Sequence, residues 1–368
     1  MIKKITILIS LIVLLVPLSI LAQDNSSASS EIFEAKVIKI LDQKEIIRDD
    51  SSKLIQQNIL LRGLDGNFKN QEIEYNGISE FEVVGANVYR VGDRVLVQGS
   101  LDLDNIDKFY IVDFVRRGYL YILTIVFAVI VVVAGRSKGV KALISLVLSF
   151  FVIIKLILPQ ILAGSNPLVV GVIGAFLILA IMIYLTGGFN QKSHLAIVSV
   201  LLSLVATMVL SVIFTNLTRL TGMAQEEAAF LIGIGKQAID FKGLLLAGIL
   251  IGTVGVLDDV IVGQIEAVEQ IKEANPDLSK VEVFRRAYKI GNTHLGAIIN
   301  TLFLTYAGAS LPLLLLFVVH QQPFLSVSSV INNEIIATEI VRSLVGSVGV
   351  ALSLPVSTYL ASNYLKIK

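Results

Sequence analysis

The chain has 368 residues, is 55% hydrophobic and only 16% charged, and has a mean hydropathy of +0.80. About a quarter of a water-soluble globular protein is usually charged, so this composition excludes that class and points to an integral membrane protein. A net charge of +1 offers no footprint for nucleic acid, and the absence of cysteine excludes disulfides, thiolate metal sites, a cysteine nucleophile and lipoprotein acylation.

The first 22 residues place Lys3 and Lys4 ahead of an apolar run that ends near Ala22. That pattern predicts a secretory signal peptide, or an uncleaved signal anchor because Ile20 is a poor cleavage match; both send the following residues outside. A Ser-rich linker over 23–34 leads into a region of different composition. From Gln23 to Arg117 there are 12 Lys and Arg against 17 Asp and Glu, whereas from Gly118 to Lys368 there are 16 against 12. Within 35–117, the runs EAKVIKIL, QNILLRGL, QEIEYN, RVLVQGSL and FYIVDFV read as short strands broken by turns. A small extracytoplasmic β-rich domain follows, of OB or SH3-like barrel type.

Residues 118–368 form the predicted transmembrane domain. A membrane-crossing helix needs about 20 predominantly apolar residues. Seven segments qualify, at about 118–135, 141–160, 167–187, 194–215, 242–265, 293–318 and 338–363. With the β-domain outside, eleven Lys and Arg fall in inner connections, from Arg136 through Lys192 and Lys289 to Lys368, against Arg219, Lys236 and Lys242 outside. This obeys the positive-inside rule, places the C-terminus in the cytoplasm and predicts a multipass membrane protein. Arg116 and Arg117 are the exception. Between the fifth and sixth segments, at about 266–291, lies an amphipathic stretch. Asn275 and Pro276 mark a helix start, and Leu278, Val281, Phe284 and Tyr288 form a stripe suited to the membrane surface or to packing on the inner ends of the bundle.

The polar residues inside the apolar segments carry the candidate chemistry. Asp258 and Asp259 sit within GTVGVLDDVIVGQI, residues 252–265. A carboxylate at the bilayer centre costs about 2.5–3.5 kcal/mol and is tolerated where it faces a cavity or a partner. Asp259 follows Gly255 by four residues, on the ridge of Gly248 and Gly252, which predicts that Asp259 faces the bundle interior. Asn292 and His294 begin the sixth segment on the same inner side, and an Asp/His/Asn cluster suits a proton relay or a weak cation site. Asn300 and Tyr306 lie further along that segment, where such groups also glue helices together. Glu339 and Arg342, at i and i+3, are secondary candidates. Adjacent aspartates on one helix are a poor catalytic pair, and neither HExxH nor any nucleophile, phosphate-loop or cofactor motif occurs. No enzyme activity, cofactor or metal is expected.

The blocks GLLLAGILIGTVGVLDDV and GNTHLGAIINTLFLTYAGASLPLLLLF, with RVGDRVLV and IVDFVRRGYL upstream, resemble the YibE/F-like family of bacterial multipass membrane proteins. The resemblance runs from about 35 to 365. It covers Asp258, Asp259, His294, Asn300 and Tyr306, and departs at Asn292-Thr293, where many members carry a charged pair. It implies a helical membrane fold and little about mechanism. The reading that ranks first is a transporter or channel whose intramembrane acids guide a monovalent cation or proton. The alternative is a non-transporting factor for protein export or membrane assembly, with the β-domain as its docking module. Expected partners are the lipid bilayer, that cation or proton, and a membrane-protein partner or second copy of the chain, with no nucleic acid.

Overall fold

The structure is a computed structural model that describes residues 31–47, 53–78, 87–101, 107–224, 226–233, 238–319, 322 and 324–366. The expected signal segment and most of the linker lie outside these residues. The chain divides into two compact units, with the boundary between Ile130 and Val131.

The first unit is an antiparallel five-stranded half-barrel. Its strands are β1 (Glu31–Ile47), β2 (Lys53–Gly63), β3 (Glu72–Asn76), β4 (Arg94–Leu101) and β5 (Asp107–Phe114), in the order β3-β2-β1-β4-β5. All five expected strands are present. Alternation of apolar side chains decides which face is covered: Phe33, Ala35 and Val37, Ile59 and Leu61, and Val95 and Val97 all point into one core. β1 pairs with β4 through its first six residues and with β2 along the rest. Register shifts at Val37/Lys39 and Ile40/Asp42 mark irregularities of the kind that bend a strand. Buried Gln57 holds the Tyr89 backbone: its Oε1 accepts from the Tyr89 amide at 2.7 Å and its Nε2 donates to the Tyr89 carbonyl at 3.2 Å. Arg116 and Arg117, the exception to the charge rule, both have carboxylate partners in this unit, Asp113 at 2.5 Å and Glu34 at 2.6 Å.

Helices follow: α1 (Arg117–Val152), a π-helical turn (Ile153–Ile157), α2 (Leu158–Leu162), α3 (Pro167–Gly187), α4 (Gln191–Leu217), α5 (Glu226–Leu231), α6 (Phe241–Ala274), α7 (Lys280–Ala309), α8 (Leu311–Leu314), α9 (Leu316–Val319), α10 (Val327–Ile331) and α11 (Glu334–Tyr364). Five long helices begin with a side chain that accepts a hydrogen bond from the first turn: Asn166, Asn190, Asp240, Ser279 and Asn333.

Among the described residues, five helical segments are long and apolar enough to cross a membrane, or six if α7 and the α8–α9 segment, bent by 82°, count as one. The expected seven segments fall on these helices, with two differences of outline. The first two segments form one helical stretch, Arg117–Leu162, broken at Arg136, whose φ is 49°. A Cβ on Gly139 would collide with the Val131 carbonyl. Residues eight apart on a straight helix are about 12 Å apart, so the chain folds back at this break. The sixth segment bends at Ser310, two residues before Pro312 in the first turn of α8.

The inner amphipathic segment is also corrected. α6 continues to Ala274, and after a short turn α7 starts at Lys280 and runs unbroken to Ala309. The start is fixed by Ser279 and Glu282, which form a reciprocal capping box, and not by Asn275. The covered face centres on Val283 and Ala287, while Val281 is exposed. At about 1.5 Å per residue, the 34 residues of α6 span about 50 Å, well over the ~30 Å of a hydrocarbon core. α6 lies at the centre of this unit and packs against α3, α4, α7 and α11.

Candidate functional site

α6 buries Leu250, Val254, Leu257, Ile261 and Ile265 among its neighbours. The remaining face carries Gly248, Gly252, Gly255, Asp259, Gly263 and Glu266, spaced four, three, four, four and three residues apart. At about 100° per residue these six fall within about 40° of one line down the helix. All six are exposed, and a Cβ on Gly248, Gly255 or Gly263 would meet nothing within 4 Å. Of this ridge Gly252 meets a neighbouring helix, through the Tyr306 hydroxyl of α7, whereas Gly248, Gly255, Asp259 and Gly263 are uncovered among the described residues. Asp258, turned by about 100°, is half-buried, and its Oδ1 is buried with no hydrogen-bond partner among the described residues.

Two close approaches fix how α7 runs beside α6. A Cβ on Gly252 would lie 2.5 Å from the Tyr306 hydroxyl, and one on Gly291 would strike buried Gln264 and Leu354 of α11. Interpolating along the antiparallel pair sets Asp258 level with Ile298–Asn300, and His294 about one turn nearer the inner end, level with Val262. Asn292, His294 and Asn300 are exposed, and no hydrogen bond or ion pair joins any of them to either aspartate among the described residues. Nor do any three His, Cys, Asp or Glu side chains among those residues form a metal-binding group.

The candidates that do meet are Tyr306, Glu339 and Arg342. The Arg342 guanidinium lies 6.0 Å from the Tyr306 ring centroid, and its Nη1 is 3.3 Å from Glu339 Oε1. Both side chains of the ion pair are largely covered, and Arg342 Nε is buried without a partner. The cluster sits about two turns from Asp258 along α6, at the Gly252 level.

A pocket adjoins each end of the open face. One, of about 250 Å³, is lined by Gly248 with Thr338 and Arg342 of α11. The other, of about 540 Å³, is lined by Val262, Gly263 and Glu266 of α6 together with Lys138, Asn190 and Lys192. Lys192 Nζ reaches Glu269 at 2.6 Å and Glu266 at 3.1 Å. Sequence reasoning missed these groups. The i, i+3 pair of acids opposite a lysine at the next helix start was their only signal. It also missed Thr338, which looks like an ordinary helix hydroxyl.

The apolar helices and the composition define the class, an α-helical membrane protein with an N-terminal β unit. The sequence profile of the family described as YibE/F-like protein matches residues 123–367, about two thirds of the chain, so the chain belongs to the YibE/F-like family. The β unit lies outside the matched residues except for the start of α1. No curated protein and no solved structure matches.

Proposed function

We propose that the protein is a transporter or channel in which acids on α6 guide a monovalent cation or proton across the membrane. One observation carries this reading: a single glycine-rich face of α6 runs from one pocket toward the other, with Asp259 between them and the Tyr306 hydroxyl over it at Gly252. Gly248 belongs to one pocket and Gly263 and Glu266 to the other. A lipid-facing helix surface gains nothing from glycine and is penalised by a carboxylate, whereas a water-filled track tolerates both.

In this reading the chain crosses the inner membrane seven times. The break at Arg136 makes two crossings of the first helical stretch, and the bent α7–α9 pair makes one. The β unit, an OB-type half-barrel, is extracytoplasmic and the C-terminus is cytoplasmic. The positive-inside count supports this orientation, as do the carboxylates that neutralise Arg116 and Arg117. A reporter fused after Lys368 and active only outside the cytoplasm would overturn it.

Flux is the direct test. Purified protein in liposomes loaded with indicators for H⁺, Na⁺ and K⁺ should dissipate at least one imposed gradient faster than empty liposomes. Folded, correctly inserted protein that leaves all three gradients unchanged would end the transport reading and leave assistance of export or membrane assembly, with the β unit as docking module.

A further inference from the structure

Two placements at the 540 Å³ pocket work against their own helices. Lys192 is the second residue of α4, where a helix N-terminus disfavours a cation. Glu266 and Glu269 stand at i and i+3 on α6, where like charges repel. Each placement is explained by the other, because the Lys192 ammonium crosses from α4 to α6 and donates to both carboxylates. Lys272, three residues beyond Glu269, turns to the end of α11 and donates to the Leu365 carbonyl at 2.7 Å. Lys138, on the α1 wall of the same pocket, makes no hydrogen bond or ion pair among the described residues.

The two contacts of Lys192 are unequal. Its Nζ lies 2.6 Å from Glu269, whose side chain is 20% exposed, and 3.1 Å from Glu266, whose side chain is 53% exposed. The shorter and more covered pair is the anchor, and the longer, wetter one is the contact for which water and ions compete. Glu266 is also the acid on the face that carries Asp259. It follows Asp259 by seven residues, two turns or about 10 Å along α6, and lines the pocket beside Gly263. Glu269 is turned about 60° away from Glu266 around the helix.

We propose that Lys192 is the ion-selectivity residue of the track: anchored on Glu269, its ammonium occupies Glu266 as a tethered monovalent cation, and the transported ion passes by taking its place there. An arriving monovalent cation or proton neutralises Glu266 as the ammonium did, and the ammonium stays on Glu269. A divalent ion needs more than one carboxylate to be held well, and Lys192 withholds the second. Two acids one turn apart would otherwise offer divalent cations a site in the mouth of the track. This role rests on the transport reading above and deepens it at the inner end of the same face.

Flux through the full chain in liposomes, normalised to inserted protein and measured against increasing Mn²⁺ on both faces of the membrane, tests the proposal. Lys192→Gln uncovers both carboxylates and should be blocked at Mn²⁺ concentrations at least about tenfold lower than the wild type. Removing one unit charge about 5 Å from a divalent ion has that effect even at the dielectric of water. Lys192→Arg, which keeps the charge and can reach both acids, should behave as the wild type. Adding Glu269→Gln to Lys192→Gln removes the second carboxylate and should bring the sensitivity back to within about threefold of the wild type. Lys138→Gln takes the same charge from the same pocket without uncovering Glu269, and should shift the block by less than about threefold. A shift in Lys138→Gln equal to that in Lys192→Gln, or a double variant as sensitive as Lys192→Gln, would overturn the proposal. Unchanged Mn²⁺ sensitivity in Lys192→Gln would overturn it and leave transport standing. No flux in either the wild type or Lys192→Gln would remove transport and this role together.

Discussion

Along α4, Ser199, Ser203, Thr207, Ser211 and Thr215 recur every fourth residue and all five are buried. Along α6, Gly248, Gly252, Gly255, Asp259, Gly263 and Glu266 recur at the same helical spacing and are exposed, with Tyr306 against Gly252 and Lys192 paired to Glu266. The difference lies in whether the polar atom can be satisfied locally. Ser199, Ser203, Thr207 and Ser211 each donate 2.8 Å to the carbonyl one turn back, so these four enter the protein with their polarity spent inside their own helix, whereas the Thr215 hydroxyl has no partner among the described residues. The stripe then packs against α11, where Gly349 meets Thr207. A carboxylate has no such recourse, since it only accepts and the helix amides are already used. Small polar periodicity in a membrane helix therefore marks a seam when its atoms are hydroxyls, and an open or ligand-facing track when they include acids.

The largest expected effect comes from filling the seam. A Cβ on Gly349 would run into Thr207, so Gly349→Leu forces α4 and α11 apart. Overpacking of this kind costs about 3 kcal/mol or more where backbones must move. Membrane abundance, followed by blotting, should fall severalfold. Normal abundance would mean that the close approach of the two helices is not required.

Next comes the open face. Asp259→Asn should reduce flux at least about tenfold while abundance stays normal, because an exposed carboxylate supports no partner whose loss would unfold the protein. Asp258→Asn should keep flux, and removing its half-buried charge should leave stability equal or higher. The reverse pattern would move the track to the other side of α6. Gly255→Leu sharpens the contrast with Gly349→Leu. Nothing lies within 4 Å of its new Cβ, so folding should change by less than about 1 kcal/mol, with the gain in helix propensity on the favourable side. Flux should nonetheless fall, since the side chain projects onto the track. Unchanged flux with normal abundance would place that face against lipid.

Much of this was legible in the residues. β-branched and aromatic alternation between turn signals located all five strands, and apolar length located the helices. The start of α7 was legible too, because Ser279 and Glu282 spell a capping box, but Asn275 and Pro276 offered a competing start. Two things had no sequence signature. Arg136 adopts a positive φ, which in a non-glycine residue is set by its surroundings, so only the place of the break in α1, between the segments expected at 118–135 and 141–160, could be read. Periodicity says which residues share a face and not whether a neighbour covers it. Asp259 and Gly255 share a face as expected, and nothing in their spacing shows that neighbouring helices leave both uncovered. Glu339, Arg342 and Tyr306 stand far apart in sequence, and only the antiparallel packing of α6, α7 and α11 brings them together.

The smallest predicted effect probes the mechanism by which the seam is tolerated. Ser203 is 1% exposed, and its hydroxyl donates only to the Ser199 carbonyl. That carbonyl also receives the backbone amide one turn on, as any interior helix carbonyl does. Ser203→Ala therefore strands no partner. It removes one oxygen atom from a covered position and leaves a void smaller than a methyl group. The loss of one net hydrogen bond, about 0.5–1.5 kcal/mol, is offset in part because alanine is the better helix former. Abundance and flux should stay within about twofold of the unsubstituted protein. A collapse in either would show that the hydroxyl bonds across to α11 in the membrane instead of within α4, and the contrast between self-satisfied hydroxyls and unpartnered acids would no longer explain why one stripe is covered and the other open.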